Sequence, residues 1–399
     1  MNLIMKLIIG ALTLMVVIAT INFCCSVKRE VHVNQTREVD QKRSVETAVD
    51  RKVNIKTAGS WNEMSPGEWV KGQTTFPDAQ WTLANPAHLG WNTETLDQAK
   101  EFYEQLNADA CMVVQHGYVV AAWGNISEPI QTRSMRKSFL GTLYGVYYQR
   151  GMISLDETLL SIGIDEKEGL TDVEKTATVK DLLASRSGIF LPAAYDPNDH
   201  PPRGKYKPNE VWSYNNWDFN ALATIFEKKT QQKIFESFEA EVARPLQMQD
   251  FRLENTEYRY EDVSLHPAYL FSTSARDDAR MGLLWLNKGK WKDQQLLSAE
   301  WMEKSTSMVT DFKGKSGLSL RDGYGYLFWV DTNAKGEWCG YSALGISGQY
   351  IYVNPANDLV IVFRADPGSI FRKWMGLRVQ PEESYALVDK ILAAAPKPL

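Results

Sequence analysis

The sequence is poor in the residues that define several protein classes. Four cysteines in 399 residues are too few for a disulfide scaffold, and no pair is spaced like a zinc site. Five histidines, scattered singly, argue against a metal centre built on imidazoles. There is no basic surplus, since the formal net charge is −5. That lacks the electrostatic footprint of a nucleic-acid binder. No internal repeat and no low-complexity tract interrupts the chain. With 44% hydrophobic and 23% charged residues, the composition excludes collagen, a disordered tail protein and a polytopic membrane protein.

One apolar run stands out, residues 7–23, between Lys6 and the pair Lys28 and Arg29. Its length lies between a signal-peptide core and a minimal membrane span. It fits an uncleaved anchor and a cleaved signal equally. Cys24 and Cys25 invite lipoprotein processing, but Phe23 is bulky where a lipobox needs a small residue. Residues 28–53 are charged, aromatic-free and aperiodic, the pattern of a solvated stalk. The expected layout is a signal or anchor over 1–27 and a polar stalk over 28–60. A sheet domain follows from 61–133 with 322–399, and a mostly helical domain from 134–321. The expected location is periplasmic or otherwise extracytoplasmic, with membrane contact only through the N-terminal segment. Cys111 and Cys339 could be oxidised there, although spacing alone does not show that they meet.

Periodicity orders the body. Residues 61–91 are rich in Trp, Pro and Gly and suggest an irregular wrap. Over 93–108 the apolar residues Leu96, Ala99, Phe102, Tyr103 and Leu106 recur at helical spacing. Residues 111–114 and 118–123 predict a hairpin. Strands are expected at 326–330, 349–353 and 359–364, and a closing helix at 381–395. Between the two ends lie expected helices at 134–148, 179–184, 217–229, 233–243, 275–287 and 299–304. Strands at both ends around a helical insertion make an α+β fold.

The chemistry begins at Ser134-Met135-Arg136-Lys137. Residues three apart share a helix face, so the hydroxyl and the amine can meet. Serine is a poor nucleophile until a nearby base takes its proton. Lysine serves as that base only when its pKa falls, through burial or a helix N-terminus. The Ser134 N–H could also donate to an oxyanion. Alone, the pattern equally describes an N-capping serine and a solvated lysine. Tyr214, two residues before Asn216, supplies a phenol that can shuttle protons beside a lysine. Asn216 can hold the lysine and a substrate carbonyl or amide. In Gly345-Ile346-Ser347-Gly348-Gln349, small residues would let a substrate approach a strand edge, with a second oxyanion donor there.

These elements occur in an order that resembles the class C-like branch of the serine β-lactamase and penicillin-binding-protein superfamily. The resemblance covers most of residues 92–362. Ser134 to Phe139 is similar to S-x-x-K-S-F, and Gly151 to Asp156 to G-x-[IL]-x-L-D. Thr178 to Gly188 resembles T-[IV]-x-x-L-L-x-H-x-S-G, with Ser185 at the His. Pro208 to Asn216 resembles P-G-x-x-[WF]-x-Y-[SN]-N, with Asn209 at the Gly. Arg244 to Met248 resembles x-P-L-G-M, and Phe271 to Asp277 the branch's S-T-[AS]-x-D-[LM]-A signature. The resemblance implies a β-lactamase/transpeptidase-like α+β fold, with an antiparallel sheet from both chain ends and an inserted helical domain. It implies Ser134 as the acylated nucleophile, Lys137 as its proton partner and Tyr214 as the second acid/base. Asn216 becomes a substrate and network ligand. No metal or organic cofactor is implied.

The third motif departs from the penicillin-directed members, whose K-T-G or H-x-G grips a substrate carboxylate. It is more similar to the G-I-H-G-Q of 6-aminohexanoate-dimer hydrolase and related esterases, with Ser347 at the His. That match makes the Ile346 N–H the second oxyanion donor and places Ser347 and Gly348 at the substrate. A missing cation removes a charge-assisted hydrogen bond of about 1.5–3 kcal/mol. Arg321 and Arg364 are the cations considered as substitutes, and both are expected as solvated surface charges. Tyr195 is placed over the pocket or packed in its loop, and Trp329 and Trp338 line the cleft or simply pack. The expected function is cleavage of a small ester or amide, or a peptide-like substrate. The alternatives are a β-lactamase or D-Ala-directed peptidase and a non-catalytic binder or sensor.

Overall fold

The computed structural model describes residues 62–63, 73–196, 199–312, 322–333, 335–366 and 379–397. The expected signal or anchor, the stalk, Cys24, Cys25 and Arg321 lie outside the described residues. No helix among the described residues is long and apolar enough to cross a membrane.

In chain order the first elements are β1 (Asn62–Glu63), β2 (Thr82–Leu83), α1 (Thr93–Gln105), β3 (Ala110–Gln115), β4 (Tyr118–Gly124) and β5 (Ile130–Gln131). The middle holds α2 (Arg136–Gln149), α3 (Val179–Leu183), α4 (Asn216–Thr230), α5 (Ile234–Phe238), β6 (Thr256–Arg259), β7 (Ala268–Thr273) and α6 (Ala275–Leu286). Next come β8 (Lys290–Trp291), β9 (Gln294–Gln295), α7 (Ala299–Thr306), β10 (Thr310–Asp311), β11 (Gly323–Tyr324) and β12 (Trp329–Thr332). The chain closes with β13 (Trp338–Gly345), β14 (Gln349–Asn354), β15 (Leu359–Arg364) and α8 (Pro381–Ala394).

Both ends build one sheet, in the order β1-β2-β4-β3-β15-β14-β13-β12-β11-β10. Its pairings are antiparallel except β1 with β2 and β2 with β4. Period-2 alternation gives the sheet two apolar faces. On β15, Leu359, Ile361 and Phe363 pack with Leu96, Ala99, Leu387 and Ile391 of α1 and α8. Val360 and Val362 face the other way, into a core with Met281 and Leu284 of α6. At Gly282 a Cβ would come within 2.4 Å of Val360 Cγ1, so glycine lets α6 press onto the sheet. Helix α2 is buried along nearly its whole length, from Arg136 to Tyr147. It is a central helix, which explains its lack of a polar face.

The middle is less purely helical than the periodicity predicts. β5, β7 and β6 form a small sheet, and β8 pairs with β9. The strand expected at 326–330 begins at Trp329, because Leu327 turns the chain at φ +62° and Gly325 N–H donates to Phe328 O. Cys111 and Cys339 do not meet. They lie on β3 and β13, with β15 and β14 between. Three strand spacings are roughly 14 Å, about twice the Cα separation a disulfide allows.

Candidate active site

Ser134 sits where three segments converge. Ser134 lies in a short 3-10 turn, Arg133–Met135, that feeds directly into α2. Tyr214 precedes α4, whose N-cap is Asn215: its side chain accepts from Trp217 N–H at 2.9 Å. That cap explains why a Tyr-Asn-Asn run ends a loop here. The third segment is the hairpin between β13 and β14. A Cβ on Gly345 would lie 2.6 Å from Thr132 O and 3.0 Å from Arg133 Cβ. Glycine is therefore required for β13 to touch the chain just before Ser134. The space expected for substrate at Gly345 is filled by the chain itself.

Lys137 is 2% exposed and joins two of the motifs. Its Nζ donates to Ser134 Oγ at 2.9 Å and to Tyr214 Oη at 2.7 Å. Phe219 and Tyr214 present ring faces to it, with centroids 4.6 and 4.5 Å from Nζ. Burial pushes its pKa well below the ordinary 10.5, and the positive charge of Arg136 pushes the same way, against the opposing pull of Asp196. Burial raises the Tyr214 phenol above its ordinary 10.0, against a hydrogen bond with Ser134. Both directions work against the charged forms, an ammonium on Lys137 and a phenolate on Tyr214, and the Lys137 direction is the one its motif needs.

Asn216 is not a hydrogen-bond partner of Lys137. Its Nδ2 donates to Tyr195 O at 2.9 Å, and its buried Oδ1 has no partner among the described residues. Ile346 is exposed at the crown of the hairpin, beside Ser347 at φ +65° and Gly348 at φ +79°. Neither the Ser134 nor the Ile346 N–H finds a backbone acceptor among the described residues. Trp329 stacks on Tyr214 at 5.6 Å, and Trp212 meets Trp329 at 6.1 Å and Phe312 at 4.5 Å. These rings form an aromatic wall behind the phenol. Trp338 starts the strand that Gly345 ends, roughly 23 Å away by strand rise. It packs on Tyr341 rather than lining the site.

Arg364 is a correction. It is fully buried, not a surface charge, because alternation along β15 puts it on the helix-facing side with Val360 and Val362. Its guanidinium donates to Asp278, Thr273 O, Ile130 O and Gln349 Oε1. At 0% exposure it is closed to a substrate carboxylate. Spacing and motif had not singled out Phe219, Asp196 or Arg133; these three become relevant only through long-range contact. No group of His, Cys, Asp or Glu that could hold a metal occurs among the described residues.

Comparison with known proteins adds the following. The sequence model of the Beta-lactamase family matches residues 99–365. The 6-aminohexanoate-dimer hydrolase of Paenarthrobacter ureafaciens is 31% identical over 113 residues, covering 27% of this chain and 28% of its own. That match thus spans less than a third of the relative's length. A proposed beta-lactamase from Bacteroides dorei superposes with a TM-score of 0.56 at 17% identity, covering 76% of this chain and 99% of its own. A Bacillus anthracis protein proposed as a 6-aminohexanoate-dimer hydrolase gives 0.53 at 20% identity, covering 88% and 95%. At these identities the structural likeness establishes the β-lactamase/transpeptidase-like fold.

Proposed function

The chain belongs to the Beta-lactamase family of serine hydrolases, and from that premise we propose that it cleaves a small ester or amide through an acyl-enzyme on Ser134. The observation that carries this reading is the buried Lys137 amine, within hydrogen-bond reach of both Ser134 Oγ and Tyr214 Oη. As a neutral amine, Lys137 takes the Ser134 proton while Oγ attacks the carbonyl carbon. The Ser134 and Ile346 N–H groups receive the oxyanion. Tyr214, protonated because it is buried, gives its proton to the leaving group and takes one from the Lys137 ammonium, which returns to the amine. Water then attacks the acyl carbonyl by the same route in reverse, freeing Ser134.

The third motif supports an ester or amide rather than a β-lactam. It has no cation of its own, and Arg364 is committed to Asp278. The name of the Paenarthrobacter relative also points toward small-molecule hydrolysis.

The test uses the full chain with a fluorophosphonate probe, 4-nitrophenyl acetate and butyrate, and a chromogenic cephalosporin, each followed by intact-mass spectrometry. The expected result is labelling at Ser134 with ester turnover, both lost in Ser134→Ala. Fast cephalosporin turnover would move the reading to lactam hydrolysis. Folded protein that no reagent labels would make it a binder.

A further inference from the structure

Arg133, immediately before Ser134, holds φ at +51°. A side-chain-bearing residue pays free energy to stay in that left-handed region, and such residues gather at functional sites. Its Cβ lies against Gly345 of the third motif. Its side chain reaches the opposite wall, where Nη1 donates to Tyr195 Oη. Tyr195 is itself held at φ +60°, and its hydroxyl donates to Gln131 Oε1 at 3.2 Å. Asn216 ties the Tyr195 carbonyl to the second motif at 2.9 Å. The Arg133 side chain therefore bridges the two walls of the site, one residue from the nucleophile.

The guanidinium is under-used. It has five N–H donors. Nη1 is spent on Tyr195, while Nε is buried with no partner. No carboxylate lies within salt-bridge distance of it among the described residues, in contrast to Arg364. The neighbouring charges do not neutralise it. Arg259 stacks over the Tyr195 ring at 4.9 Å and has Glu257 at 3.4 Å. Asp196 is occupied by His200 at 2.7 Å. The residue is only half-buried, so a ligand can reach it.

We propose that Arg133 is a specificity-determining residue that binds a carboxylate on the substrate, making carboxylate-bearing esters or amides the preferred class. A planar guanidinium suits that role, because its fork matches a carboxylate in geometry and charge. The charge then sits on the Tyr195 wall, not on the third motif where the penicillin-directed members carry it, so a carboxylate would be held in a different place from theirs. The proposal rests on the hydrolase reading above.

The test compares kcat/KM for the mono-4-nitrophenyl esters of adipate and suberate with 4-nitrophenyl hexanoate and octanoate, in the full chain. The readout is the anionic-to-neutral ratio, which a general loss of folding or activity leaves unchanged. The expected wild-type ratio favours the anionic esters. Arg133→Gln should lower it about tenfold or more, the size of one charge-assisted hydrogen bond. Arg133→Lys should keep most of it, and Arg133→Glu should push it lower still. A ratio that Arg133→Gln and Arg133→Glu leave unchanged would make Arg133 a structural strut and overturn the proposal. Failure of every ester, with no probe labelling of Ser134, would sink the hydrolase reading and this proposal with it.

Discussion

Arg364 and Lys137 are both basic side chains with 2% exposure or less, and their surroundings differ completely. Arg364, beneath the third motif, has a carboxylate, a glutamine oxygen and two backbone carbonyls around its guanidinium. Lys137 has two hydroxyls and two aromatic faces. A buried cation surrounded by acceptors stays charged and fixes structure. A buried cation given only neutral partners surrenders its proton and becomes a base. On the proposed mechanism, the same burial that makes Arg364 a scaffold makes Lys137 a reagent.

That contrast can be broken at either end. The largest effect is expected from Lys137→Met, which removes the base. Ester kcat/KM should fall by roughly three orders of magnitude or more. The same variant should be more stable than wild type at neutral pH, by about 1 kcal/mol or more. The sign follows from linkage. The folded-state pKa of Lys137 is depressed below 10.5, so between the two values the unfolded chain binds more protons. Wild-type stability should therefore rise with pH across that window, and the rise should vanish in the variant, as read by urea midpoints.

At the other node, Asp278→Ala should strand Arg364 as an uncompensated buried charge. Denaturant melts should show a loss of about 3–5 kcal/mol. A gain or no change there would erase the distinction between the two cations. The smallest effect is expected at the seam joining the regions. Gly345→Ala forces a Cβ against Thr132 O. Overpacking of this kind costs about 1–3 kcal/mol. Because the hairpin carries Ile346, kcat should fall more than KM changes.

Much of this was legible in residue patterns. Apolar runs on either side of a turn marked β14 and β15, helical spacing marked α1, and i,i+3 spacing brought Ser134 to Lys137. Asn209 at a family glycine position is also intelligible, since it adopts φ +65°, which asparagine tolerates better than most residues. The environment of each charge was not legible. The burial of Arg364 could have been inferred by extending the β15 alternation one step, but its partners come from β5, β7 and α6. Lys137 gains its ring faces and Arg133 its bridge only when loops distant in sequence close over them. The separate strands in the middle were hidden because β5, β8 and β9 are each two residues long.

The most direct test of the central claim is the pH dependence of Ser134 modification by the fluorophosphonate probe. The account predicts a rate that rises with a single ionisation and levels off well below pH 10.5, with that step absent in Lys137→Met. A rate that keeps climbing through the ordinary lysine range of about 10.4, or a step that survives in Lys137→Met, would contradict it.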